Sequence, residues 1–127
     1  MKILHLSDTH GLHHQIKDMP AADIIVHSGD ISHNGTENEV LDFLNWYIEL
    51  PYQHKIFVAG NHDLCLWDAE EIEDLPDNVY FLQDCCVTIN GVKFFGLAYN
   101  HSEDLIPDDT DFMWSIKGFA VSPSVSL

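Results

Sequence analysis

The chain has 127 residues, 46% of them hydrophobic, with 21 acidic residues against five lysines, no arginine and a formal net charge of −16. That apolar content suffices for one globular domain and excludes an intrinsically disordered chain. So negative a field repels nucleic-acid backbones and anionic membranes at long range, so neither is expected as a partner.

Residues 2–7 read as a first strand, an apolar run that stops abruptly at Asp8, Thr9, His10 and Gly11. Residues 12–19 predict a short helix ended by Pro20. Residues 23–28 predict a second strand, whose unbroken Ile24-Ile25-Val26 suits a sheet buried on both faces. It ends at Gly29 and Asp30. The clearest helix covers about residues 37–50. Thr36 and Glu39 stand in a capping-box pattern, and Val40, Phe43, Leu44, Tyr47 and Ile48 share one helical face. Pro51 cannot continue that helix. Residues 55–59 form the third predicted strand, ending at Gly60, Asn61, His62 and Asp63.

Alternating strands and helices predict a parallel sheet, and such sheets bind ligands beyond the carboxyl ends of their strands. Asp8, His10, Asp30, Asn61 and His62 would therefore meet at one edge. Further on, the acidic residues 68–74 predict a short solvated helix and residues 79–82 a short strand. Residues 86–89 and 92–98 flank Asn90-Gly91, a hairpin turn signal. Every acidic residue lies at or before Asp111, and residues 112–127 hold one lysine. The domain is therefore read as residues 1–111, followed by an atypical tail.

Cys65, Cys85 and Cys86 are odd in number and lack a CxxC spacing, which argues against a disulfide framework or a structural zinc site. Cys65 is expected as a buried structural thiol. A reducing, cytoplasmic setting follows, since the N-terminal apolar run is too short for a signal peptide and no run of about 18 apolar residues exists. Of the nine histidines, His5 and His27 are expected to pack beside the sheet. His13 and His14 are expected as solvated residues at a helix start, and His33 and His54 as loop or surface residues.

The ordered set "KILHLSDTHG", "ADIIVHSGDIS" and "HKIFVAGNHD" resembles the calcineurin-like metallophosphoesterases, the binuclear metal phosphatases, most of all their small bacterial members. The resemblance covers about residues 2–100. It implies a partial metallophosphoesterase α/β sandwich: a parallel βαβαβ start, then a β-hairpin, with the second sheet largely missing. It implies Asp8, His10, Asp30 and Asn61 as ligands to two divalent metals of the Mn, Fe or Zn kind, with Asp30 bridging. His62 would donate a proton to the leaving oxygen, oriented by Asp63. Gly29 and Gly60 would let the backbone turn beside the metals. The implied function is hydrolysis of a phosphomonoester or phosphodiester by a metal-activated hydroxide.

The family pattern continues with a histidine at the end of another strand and a Gly-His-x-His segment. Neither is found here; His101 is the only histidine after His62. A truncation or frameshift ranks first among the explanations, ahead of a fragment or a short variant whose apolar sheet face is covered by a second copy. Incomplete metal occupancy and impaired turnover would follow. A non-catalytic metal-binding or interaction protein is the alternative reading.

Overall fold

Strands β1 (Ile3–Leu6), β2 (Ile24–His27), β3 (His54–Phe57) and β4 (Val79–Phe81) lie side by side in that order, every pair parallel. The structure, a computed structural model, describes residues 1–67, 69 and 72–96 and the strands at 114–116 and 119–123. His101 and the last two residues of the expected 92–98 strand lie outside the described residues.

The apolar run of β2 is buried throughout, as a strand covered on both faces must be. Ile25 turns toward one core with Phe57, while Ile24 and Val26 turn the other way with Ile56 and Val58. On the first face lies α1 (Glu37–Ile48), with Val40, Phe43, Leu44 and Tyr47 buried. Its capping box is formed as expected: the Glu39 N–H donates to the Thr36 side chain and the Glu39 carboxylate accepts from the Thr36 N–H. The Tyr47 hydroxyl donates to the Ile56 carbonyl at 2.6 Å and lies 3.2 Å from that of Ile25, so one side chain ties α1 to two strands. Burial pushes that phenol well above its usual range. Lys55 is buried in β3 and donates its ammonium to the Ile48 carbonyl at the end of α1, where a cation offsets the helix dipole.

On the second face lies a four-stranded antiparallel sheet. Strands β5 (Cys85–Ile89) and β6 (Val92–Gly96) form the expected hairpin. Asn90 and Gly91 both have positive φ (50° and 79°), the conformation that a tight two-residue turn requires. Two strands from the tail extend it: β8 (Phe119–Pro123) pairs with β6, and β7 (Trp114–Ile116) pairs with β8. The partial α/β sandwich is thus present, and its second layer is fuller than a bare hairpin. Ile89 and Phe94 are buried against Ile24, Val26, Ile56 and Val58. The face expected to be bare is therefore covered within the chain itself.

One local expectation needs correction. Residues 12–19 do not form a helix, only a single 3-10 turn at His13–Gln15. Ile16 is already extended and Asp18 is left-handed (φ 57°), so the helix cannot propagate. The acidic stretch 68–74 lies partly outside the described residues; residues 73–74 form a turn, with Asp74 left-handed (φ 62°). Among the described residues no helix is long and apolar enough to cross a membrane.

Candidate metal centre

Parallel pairing continues past the strand ends and carries the three donor loops together. The Asp8 N–H donates to the Gly29 carbonyl at 3.0 Å, the His10 N–H to the Asp30 carbonyl at 3.0 Å and the Gly11 N–H to the Ile31 carbonyl at 2.9 Å. On the other side of β2, the Val58 N–H donates to the His27 carbonyl. Asp30, at the end of the central strand of the three, is therefore flanked by the loop bearing Asp8 and His10 and the loop bearing Asn61 and His62.

The backbone of this edge is strained where the donors sit. Asp8, His10 and Asp30 all adopt left-handed φ, at 57°, 46° and 58°. Each such residue costs on the order of 1 kcal/mol or more and persists only where its surroundings enforce it. Gly60 shows how tightly they do so. A Cβ there would lie 2.2 Å from Asp30 Oδ1 and 2.4 Å from the Asp30 nitrogen. Gly29, at φ 110°, abuts the Gly60 backbone in turn. These two glycines permit a close approach of two loops as well as the turns expected of them.

Asp8, His10 and Asp30 each offer one ligand atom within 4.8 Å of the others. His10 Nε2 lies 3.8 Å from Asp8 Oδ1, and the Ser7 hydroxyl donates to the other Asp8 oxygen. Asp30 is buried; its Oδ1 accepts from the His62 N–H at 2.9 Å. One terminal atom of the Asn61 amide lies 2.8 Å from both Asp30 oxygens. As nitrogen, that atom donates to both. As oxygen, it would complete a convergence of three acceptors that only a cation can hold together.

The sequence profile of the calcineurin-like phosphoesterase family matches residues 1–116. The chain belongs to that family. A UPF0046 protein of Caenorhabditis elegans is 31% identical over 89% of this chain and 49% of its own length. Another from the same worm is 39% identical over 75% of this chain and 40% of its own length. Human metallophosphoesterase domain-containing protein 1 is 31% identical over 72% of this chain and 35% of its own length. The chain thus spans about a third to a half of the length of these relatives.

Family membership implies divalent metals, and the donors present fit them. Two carboxylates, an imidazole and an amide suit a hard or borderline cation. The reversible Asn61 amide supplies an oxygen without adding charge. Second partners are in place as well. His10 Nδ1 lies 3.3 Å from the Ser32 carbonyl and His62 Nδ1 lies 2.9 Å from the His33 carbonyl. A carbonyl only accepts, so each Nδ1 carries the proton and each Nε2 keeps its lone pair.

Asp63 does not orient His62. It is fully buried, and its carboxylate accepts from the N–H groups of Ile31 (3.1 Å), Ser32 (2.9 Å) and Gly60 (2.9 Å) and from the Ser32 hydroxyl (2.7 Å). Four donors from two loops consume its acceptor sites, and the His33 carbonyl takes the place that the resemblance assigned to it. Asp63 is the knot that holds the Asp30 loop against the Asn61 loop.

The histidines divide differently from their sequence reading. His27 is buried in β2; its Nδ1 accepts from the Gly29 N–H at 3.2 Å and its Nε2–H donates to the Thr9 hydroxyl at 2.9 Å. It braces the Asp8–His10 loop and the Asp30 loop, two of the three donor loops. His5 is exposed and bonded to the Ser28 hydroxyl. His13, expected in solvent, is fully buried against the rings of Phe43 and Trp46, with Nε2 2.9 Å from Asp42. His14 reaches the same carboxylate from outside. His33 is exposed as expected, yet its imidazole joins those of His10 and His62 within 4.8 Å. The signal for it was present in the sequence: His33 follows Asp30 closely and precedes a capping box that fixes the same loop. Cys65 is exposed rather than buried, and partial desolvation and then Asp63 push its thiol up, away from a reactive thiolate.

Proposed function

We propose that this chain is a metal-dependent phosphoester hydrolase acting on phosphomonoesters or phosphodiesters. The observation that carries the reading is the convergence of Asp8, His10, Asp30 and Asn61 from three adjacent strand ends. When bound, two divalent cations of the Mn, Fe or Zn kind would supply Lewis acidity toward the phosphoryl oxygens and a water made nucleophilic near neutral pH.

The chain's own residues do the rest. Asp8 and Asp30 bring the negative charge that would hold the cations, and so much positive charge would locally offset a net charge of −16 that otherwise repels phosphate. Asp30, pinned by the His62 N–H and packed on Gly60, fixes the spacing. The His33 carbonyl holds one proton of His62 on Nδ1, which leaves Nε2 as the nitrogen to carry a second proton to the leaving oxygen. His62 is only partly buried, which leaves it open to an incoming ester.

The test is hydrolysis of an aryl phosphomonoester and of an aryl phosphodiester with added Mn²⁺. Turnover abolished by Asp30→Ala and reduced at least 100-fold by His62→Ala supports the reading. Metal held without turnover favours the non-catalytic alternative.

A further inference from the structure

Two groups of imidazoles stand beside the carboxylate set, one of them sharing His10 with it. His13 and His14 share Asp42, and all three offer atoms within 4.8 Å. A cation on His13 Nε2 would require the proton on Nδ1. That Nδ1 is buried with no acceptor, so the ligating tautomer would leave an unpaired N–H in the core. This cluster is a packing contact that joins the 3-10 turn to α1.

His10, His33 and His62 answer the same question the other way. Their ligand atoms also lie within 4.8 Å of one another. The Nδ1–H groups of His10 and His62 point at two consecutive carbonyls, those of Ser32 and His33. Both Nε2 lone pairs are therefore turned outward by the same short loop. That loop is itself held: Glu39 accepts from the N–H groups of His33, Asn34 and Thr36, and Asp63 from those of Ile31 and Ser32. The His10 and His62 rings meet edge-on at 4.7 Å and the His33 ring stacks on His62 at 6.1 Å.

We propose that His10, His33 and His62 form a tri-imidazole site for one borderline divalent cation of the Zn²⁺ kind, an alternative to the carboxylate-bearing site with which it shares His10. An all-nitrogen set suits Zn²⁺, whereas carboxylate and amide oxygens suit Mn²⁺. Zn–N bonds of about 2.0–2.1 Å place tetrahedral nitrogens roughly 3.4 Å apart. The group must therefore close slightly, and exposed His33 has the freedom to do so. A water fills the fourth position. The binding claim stands without the hydrolase reading. Its consequence rests on that reading: Nε2 of His62 cannot hold Zn²⁺ and deliver a proton, so Zn²⁺ in this site stops turnover that Mn²⁺ supports.

The experiment is calorimetric titration of the metal-free chain with Zn²⁺ and, separately, with Mn²⁺, for wild type, His33→Ala and Asp30→Asn. Co²⁺ in place of Zn²⁺ adds the visible absorption of nitrogen ligation. His33→Ala keeps its backbone carbonyl and alters an exposed side chain, so folding is preserved. Zn²⁺ affinity falling tenfold or more in His33→Ala, with Mn²⁺ affinity within twofold of wild type, is the expected result. Zn²⁺ affinity unchanged in His33→Ala, or Zn²⁺ and Mn²⁺ weakened equally, overturns the proposal. The carboxylate site on which the hydrolase reading rests fails by a different arm: Mn²⁺ binding that survives Asp30→Asn.

Discussion

Replacing Asp63 by Asn separates two roles that one residue could play. If the carboxylate oriented His62, the substitution would slow turnover and leave stability nearly unchanged. In the structure the carboxylate instead accepts four hydrogen bonds from Ile31, Ser32 and Gly60, all buried. An Asn side chain keeps one acceptor oxygen and turns an NH2 group toward the other pair of donors. The least costly orientation aims the NH2 at the Ser32 hydroxyl, which can rotate to accept, and leaves the Ser32 N–H unpaired. One orphaned buried N–H costs about 1–3 kcal/mol, and the loss of charge weakens the remaining bonds. The total is about 2–4 kcal/mol, a large part of the stability of a chain this size. Urea unfolding followed by tryptophan fluorescence reads it directly. A loss below about 0.5 kcal/mol, with turnover reduced, would refute the structural assignment of Asp63.

Glu39 carries a pH signature. The His33 N–H above all, with those of Asn34 and Thr36, holds its carboxyl at about 2, below the usual 4.5. A depressed carboxylate stabilises the fold fully above about pH 4.5 and loses that contribution as pH falls toward 2. Glu39→Gln should cost about 1 kcal/mol at pH 6, discounted for the exposure of the group, and the gap to wild type should narrow below about pH 4.5 and close only near pH 2; a gap independent of pH would contradict this. Gly60→Ala drives a Cβ into Asp30 and should lower stability by about 2–3 kcal/mol and weaken Mn²⁺ binding at the same time, both measurable on one preparation. Tyr47→Phe removes the hydroxyl that donates to Ile56 and should cost about 1 kcal/mol in thermal unfolding, with metal binding unchanged.

The strand ends and the capping box were legible in sequence because both signals are local. An apolar run that stops at Asp-x-His or Gly-Asp needs only a few residues to show itself, and Thr36 with Glu39 lies within one helical turn. The parallel sheet then gathers the ends without further information. Asp63 was misread because its partners lie some thirty residues away, on a loop whose curl is set by left-handed Asp30. His13 was misread for a similar reason. Its acceptor, Asp42, sits at the edge of the buried face of α1, and only the folded turn brings the two together. The stretch 12–19 has helical composition but no packed face long enough to stabilise a helix. The tail strands were invisible because short runs such as 119–123 acquire meaning only through the register they take on β6.

The central claim is that three strand ends build one divalent-cation site around Asp30. Calorimetry of Mn²⁺ binding to the metal-free chain, wild type beside Asp30→Asn, tests it most directly, with circular dichroism to establish that both are folded. Saturable binding by wild type that weakens at least tenfold in Asp30→Asn is the result this account predicts. Equal binding by the two, or none by a folded wild type, would mean that these loops have the shape of a metal centre without its function.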